Sequence, residues 1–158
     1  MSTRHRPLTR PPMDWVLVAN ASRARCFERD ADNHAMRELE AFVHPQSRQK
    51  GAQLEDARPG HAHKGVASTQ FDPHTDVHEK EHAQFARELA DHLDAAALAH
   101  RLPGLVLIAS SEFLGELRSQ LEHGAAGRLV KAGVALDLTA YNGAELERRV
   151  SKALDAPG

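Results

Sequence analysis

The sequence predicts a single α/β domain in three layers, with a five-stranded mixed sheet between flanking helices. Two continuous apolar runs, WVLVA and LVLIA, are typical of strands that are buried on both faces. The second half of the chain then alternates strand-like runs with stretches whose apolar residues recur at helical spacing. A length of 158 residues is enough for one compact domain with a substantial core.

The first half of the domain is expected to form three strands that are antiparallel neighbours. Trp15–Ala19 is the first apolar run, and the turn residues of NASRAR join it to an alternating second strand at Arg25–Arg29. Met36–Val43 shows a weaker pattern, which we interpret as the third strand. A helix over residues 35–42 is the alternative interpretation of that stretch.

The second half is expected to add three helices and two strands, with the strands joined in parallel through helical crossovers. The first helix begins at Asp76, where Asp76 and Glu79 form a D-x-x-E capping pattern, and continues to about residue 100. The remaining elements are a strand at Leu105–Ala109, a helix over Glu112–His123, a strand within Leu129–Leu136 and a helix capped by Asn142 that runs through Leu154.

Two segments lack a regular pattern. Residues 1–12 are basic and rich in proline, so we expect a disordered arm in front of a domain that spans residues 13–154. Residues 44–75 show no sustained period and contain three glycines and three prolines. Loops beyond about 12–15 residues are uncommon in compact domains and are usually functional or disordered. We therefore expect a long loop over about residues 44–75.

Composition excludes several classes of protein. The formal net charge is −2, so any site for a polyanion has to be a local patch. The single cysteine, Cys26, excludes an intrachain disulfide and a cysteine-based zinc site. No apolar run is long enough to span a bilayer, and no secretory signal pattern is present. We predict a cytoplasmic protein with no membrane partner and no cofactor.

The stretch HEKEH, from His78 to His82, matches the HExxH motif of zinc hydrolases, in which two histidines on a helix hold the metal. Such a site needs a third ligand. Phe85 and Glu88 stand where the longer HExxHxxGxxH pattern requires glycine and histidine. We therefore predict no metal site, and we keep a zinc hydrolase with His78 and His82 as ligands as an alternative.

The long loop and the helix that follows it form a candidate binding surface. No nucleophile elbow, P-loop or dinucleotide-binding motif occurs in the chain. Basic side chains on a loop suit an RNA backbone, and the N–H groups of a helix start favour phosphate. The candidate residues are Arg48, Lys50, Arg58 and Lys64 in the loop and His78 and His82 at the helix start.

Several stretches together resemble the bacterial host-attachment protein family. They are WVLVANASRARCFE, ELEAFVHPQSRQKG, DARPG, HEKEHAQFARELADHL, LPGLVLIASSEFLGELR and DLTAYNGAELERRV. The likeness runs in the family's order from Met13 to about Leu154. It implies a role connected with attachment to a host.

That family in turn resembles the middle domain of archaeal and eukaryotic peptide-release factors. The likeness lies in QFAR, at residues 84–87, and in GLVLIAS, at residues 104–110. The Gly-Gly-Gln tip with which release factors promote ester hydrolysis is missing, and Gln70 in HKGVASTQFD has no glycine pair. The resemblance therefore implies a non-catalytic domain whose partner is the ribosome or structured RNA. An attachment-related protein that acts through protein partners is the alternative.

Overall fold

A computed structural model describes residues 13–44 and 73–155 of the chain. The strands are Trp15–Ala19 (β1), Arg23–Arg29 (β2), Met36–Val43 (β3), Leu105–Ala109 (β4) and Val130–Ala135 (β5). The helices are Pro73–Leu98 (α1), Ser111–Leu121 (α2) and Gly143–Asp155 (α3), and a short 3₁₀ helix, Ala126–Leu129, precedes β5. The predicted arm at residues 1–12 and nearly all of the predicted loop lie outside the described residues.

The five strands form one mixed sheet in the order β3-β2-β1-β4-β5. The pairs β1–β2 and β2–β3 are antiparallel, whereas β1–β4 and β4–β5 are parallel. The predicted fold class is confirmed, and the alternative helix over residues 35–42 is wrong because this stretch is β3. The two apolar runs occupy β1 and β4, which lie side by side within the sheet, with all ten residues buried.

Helices cover both faces of the sheet, as the alternation of side chains along a strand requires. On one face Trp15, Leu17 and Ala19 of β1 pack in a core with α1 and α2. On the other face Val16 and Val18 pack in a second core with Leu146 and Val150 of α3. The continuous apolar runs therefore reflect burial on both faces of the central strands.

Helix α1 begins three residues earlier than predicted. It starts at Pro73, a residue type whose ring presets the helical φ angle and whose missing N–H costs nothing in a first turn. Asp76 lies inside the helix, so the predicted helix start at Asp76 is wrong. Within the described residues no helix is long and apolar enough to cross a membrane.

Candidate functional site

Four strands end at one edge of the sheet, which we call the carboxyl edge. β1, β4 and β5 are mutually parallel, and β3 shares their direction because it is antiparallel to β2. Helix α2 begins at this edge directly after β4, and α1 crosses the edge near Phe85, which stacks on His44 and on Phe113. In open α/β sheets, ligands bind beyond the carboxyl ends of two adjacent strands whose following helices cover opposite faces of the sheet. Here the two strands are β4, which is followed by α2, and β5, which is followed by α3.

A polar bridge crosses the carboxyl edge above the end of β4. The side-chain amide of Asn20, after β1, donates to Asp137 Oδ2 at 3.0 Å and to Thr139 Oγ1 at 3.1 Å, both after β5. The Asn20 Oδ1 atom accepts the backbone N–H groups of Ser22 at 2.9 Å and Arg23 at 3.0 Å. The bridge therefore fixes the β1–β2 turn against the loop that leads into α3.

The Asp137 carboxylate is held in its ionised form. Partial burial opposes ionisation, but hydrogen bonds from Thr139 and Asn20 and the nearby charge of Arg23 outweigh it, so the pKa of Asp137 lies below its ordinary value. The Thr139 hydroxyl donates to Asp137 Oδ1 at 2.6 Å. Asp137 therefore acts as a hydrogen-bond acceptor in the bridge and is poorly suited to donate a proton in catalysis.

The start of α2 lies beside this bridge. Ser110 occupies the N-cap position without a side-chain capping hydrogen bond, and its backbone N–H donates to the carbonyl of Ala19 at 3.2 Å. Glu112 places a carboxylate in the first turn of the helix. A negative side chain stabilises the positive end of the helix dipole, so the chain itself supplies an anion there.

An aromatic cluster lies at the carboxyl edge on the face covered by α1 and α2. The His44 ring, after β3, stacks on Phe85 with ring centroids 5.1 Å apart, and Phe85 stacks on Phe113 at 5.7 Å. His82 meets Phe113 edge-on at 6.3 Å. The His44 side chain is buried, and neither of its ring nitrogens has a hydrogen-bond partner among the described residues. The cluster packs the end of β3, α1 and the first turn of α2 together.

The structure places one of the predicted site residues in this cluster and leaves others untested. His82 is half-buried against Phe113. His78 lies in α1, but its side chain is outside what the structure describes. The remaining candidates, Arg48, Lys50, Arg58 and Lys64, fall in residues 45–72, which are not described. Among the described residues no group of three or more His, Cys, Asp or Glu side chains could hold a metal ion.

Two buried polar residues of this region were not predicted from the sequence. Glu81 is 5% exposed and His44 is 1% exposed. Glu81 precedes Phe85 by one helical turn and therefore lies on the buried stripe of α1, so the helical spacing in the sequence indicates its burial. His44 has no such signal, because it follows the last residue of β3 at the start of the predicted loop.

The fold and its carboxyl edge define a single α/β domain in which polar and aromatic side chains from distant parts of the chain converge at one edge of a mixed sheet. A family model described as "Protein required for attachment to host cells" matches residues 15–150. The chain therefore belongs to this family.

A similar protein comes from Rickettsia prowazekii (strain Madrid E), where it carries the name "Uncharacterized protein RP470". The two are 32% identical over 89 residues, which cover 55% of this chain and 59% of the relative. The match thus extends over less than two thirds of the relative's length.

Proposed function

We propose that this protein is a non-catalytic member of its family that binds structured RNA or the ribosome through the carboxyl edge. One observation carries the proposal. The segment 45–72 leaves this edge after His44 and ends at the start of α1, which crosses the same edge at Phe85, about 18 Å along the helix axis from Pro73. The chain therefore connects the four basic residues of that segment to the carboxyl edge on both sides, through His44 and through the turns of α1 that lead to the His82–Phe113 contact.

The charge of that segment supports a local attraction for phosphate. It contains Arg48, Lys50, Arg58 and Lys64 against three carboxylates, whereas the whole chain carries a formal charge of −2. Phosphate contacts supply most of the sequence-independent affinity for nucleic acid. The resemblance to a release-factor domain supports the same partner, because the corresponding loop and helix start of that domain enter the ribosome. The proposal also includes a cytoplasmic location.

The chemistry of the described groups supports binding rather than catalysis. Burial raises the pKa of Cys26 to about 12, with smaller contributions from Glu40 and Glu28, so its thiol stays protonated and inaccessible. The Asp137 carboxylate is occupied by the bridge from Asn20 and Thr139.

Co-sedimentation with purified ribosomes tests the proposal. The parent protein should sediment with ribosomes at low salt, and a variant with Arg48, Lys50, Arg58 and Lys64 replaced by alanine should remain in the supernatant. The matched control replaces four exposed basic residues of the described elements, Arg37, Arg87, Arg148 and Lys152, with alanine. This control changes the net charge equally and should sediment like the parent.

Equal loss of binding in both variants would attribute the association to bulk charge and contradict the assignment to the loop. A pull-down from ribosome-free lysate, with and without RNase, provides a further comparison. If the protein binds no ribosomes but retains protein partners after RNase treatment, the result would favour the alternative of an attachment-related protein that acts through protein partners.

A further inference from the structure

The two edge strands of the described sheet differ in how they are protected. β3 exposes Arg37, Glu38 and Glu40 along its length, and charged side chains on an edge discourage pairing with another chain. β5, with the sequence VKAGVA, carries a single charged residue, Lys131. Lys131 lies 2.7 Å from the carboxylate of Asp14, and the three charged side chains of β3 have partners of their own, so the two edges differ in the number of charges and not in their pairing. β5 is therefore the less protected of the two edges.

The backbone of β5 offers hydrogen-bonding groups on its open side. The N–H of Leu136, just after the strand, donates to the carbonyl of Ala109 at 2.8 Å, so this residue faces β4. Successive residues of a strand turn their backbone groups to opposite sides, and therefore Gly133 and Ala135 point theirs away from β4. Both residues are exposed, and within the described part of the chain no strand pairs with this side.

A groove of about 570 Å³ lies between α2, the 3₁₀ helix and Val130 at the start of β5. A Cβ atom built on Gly133 would lie 2.3 Å from Arg118 Nη1, so the guanidinium of Arg118 lies directly over the strand at its glycine. The lining includes Gly115, Arg118, Ser119, Glu122, Gly127 and Val130. A strand that pairs with the open side of β5 would therefore pass beside Arg118 and place side chains near this groove, on the face of the sheet that α2 covers.

The groove is lined by one basic and one acidic side chain among the described residues, Arg118 and Glu122. Arg118 is exposed, lies over Gly133 and forms no ion pair within the described residues. A carboxylate on an added strand beside Gly133 would therefore meet an unpaired guanidinium. A second copy of this chain fits poorly, because antiparallel pairing of two β5 strands about Gly133 would bring two Arg118 guanidinium groups together on one face.

We propose that the open edge of β5 binds an extended, acidic segment of a protein partner, which joins the sheet as a sixth strand with a carboxylate on Arg118. The backbone groups of Gly133 and Ala135 supply the pairing, and the groove receives alternate side chains of the segment. This mode of recognition takes affinity from main-chain hydrogen bonds and specificity from side-chain pockets. The proposal is independent of RNA binding at the carboxyl edge.

Selection from a library of random short peptides with blocked ends tests this proposal. The parent protein should enrich β-branched sequences that carry Asp or Glu at one fixed position. Arg118→Glu should reverse the preference at that position to Lys or Arg and weaken binding of the acidic peptides by roughly tenfold or more. Arg87→Glu, at an exposed position on α1, should select the same peptides as the parent.

Ala135→Pro provides a second variant that leaves the groove charges intact. Proline is tolerated on an edge strand, but it removes the outward N–H of this position. The variant should fold with the parent's circular dichroism spectrum and should lose the enriched peptides. In the parent, addition of an enriched peptide should slow hydrogen exchange at the amides of Gly133 and Ala135.

Several outcomes would overturn the proposal. Enrichment of no peptide, or of peptides without a preferred acidic position, would remove the role of Arg118. If the peptide slows hydrogen exchange at amides of other elements and leaves exchange in β5 unchanged, the binding surface lies elsewhere. A dimer in sedimentation, with Gly133 and Ala135 already protected in the absence of peptide, would show that a second copy occupies the edge.

Discussion

The side-chain amide of Asn20 donates a hydrogen bond of 3.0 Å to the carboxylate of Asp137, a residue 117 positions later in the chain. This contact joins the loop after β1 to the loop after β5 across the end of β4. It holds the β1–β2 turn and the loop that leads into α3 together at the carboxyl edge.

Asn20→Ala should lower the free energy of unfolding by about 1–3 kcal/mol, because it removes several partly exposed hydrogen bonds that are each worth about 0.5–1.5 kcal/mol. Urea denaturation measures this change. Asn33→Ala is the matched control, since the Asn33 side chain accepts a single backbone N–H, that of Ala35 at 2.8 Å. A decrease in Asn20→Ala no larger than that in Asn33→Ala would contradict the bridging role.

Asp137→Asn should reduce stability in a way that depends on pH. The folded state lowers the pKa of Asp137, so its contribution to stability is present above the unfolded pKa of about 3.9 and is lost as pH falls through the folded pKa. The variant should therefore be less stable than the parent near neutral pH and approach it as pH falls below the unfolded pKa and through the lower folded pKa. Urea denaturation across this range checks the trend, with Asp91→Asn on the exposed face of α1 as control. A stability difference that is constant with pH would refute the assignment.

The Cys26 thiol should resist alkylation in the folded protein. Its side chain is buried in β2, and burial raises its pKa to about 12, so little thiolate exists at mildly alkaline pH. Iodoacetamide labelling followed by mass spectrometry should show almost no modification in buffer and complete modification in denaturant. Rapid labelling of the native protein would show that β2 opens readily or that the thiol is accessible.

Phe85→Ala should be among the most destabilising single substitutions. Phe85 is 1% exposed and stacks on both His44 and Phe113, and deletion of a buried aromatic ring costs about 3–5 kcal/mol. Thermal and urea denaturation report the decrease in stability. Arg87→Ala, two residues along α1 but exposed, should change stability by less than about 0.5 kcal/mol. Similar values for the two variants would contradict the packing of the aromatic cluster.

The sequence predicted the sheet well because its central strands are apolar throughout. WVLVA and LVLIA became β1 and β4 with their predicted bounds, and the parallel and antiparallel pairings followed from the order of the elements. Met36–Val43 was also predicted with its observed bounds, although its exposed edge position weakened the apolar alternation that marks a strand.

The site was much harder to predict than the fold. The Asn20–Asp137 bridge joins residues from opposite ends of the domain, and no local pattern marks such a contact. Burial of His44 depends on the packing of α1 and α2 against the end of β3, which periodicity within one element does not report. The start of α1 at Pro73 was missed because a plausible capping pair, Asp76 and Glu79, lay one turn further on.

The salt dependence of RNA binding tests the central claim most directly. Phosphate binding releases counterions, so the logarithm of the association constant for a structured ribosomal RNA fragment should fall linearly with the logarithm of salt concentration. Alanine at Arg48, Lys50, Arg58 and Lys64 should flatten the slope by roughly 0.7 to 0.9 for each phosphate that the variant no longer neutralises. The control with alanine at Arg37, Arg87, Arg148 and Lys152 should keep the parent's slope. Identical slopes in the parent and the loop variant, or no binding by the parent at low salt, would contradict the account.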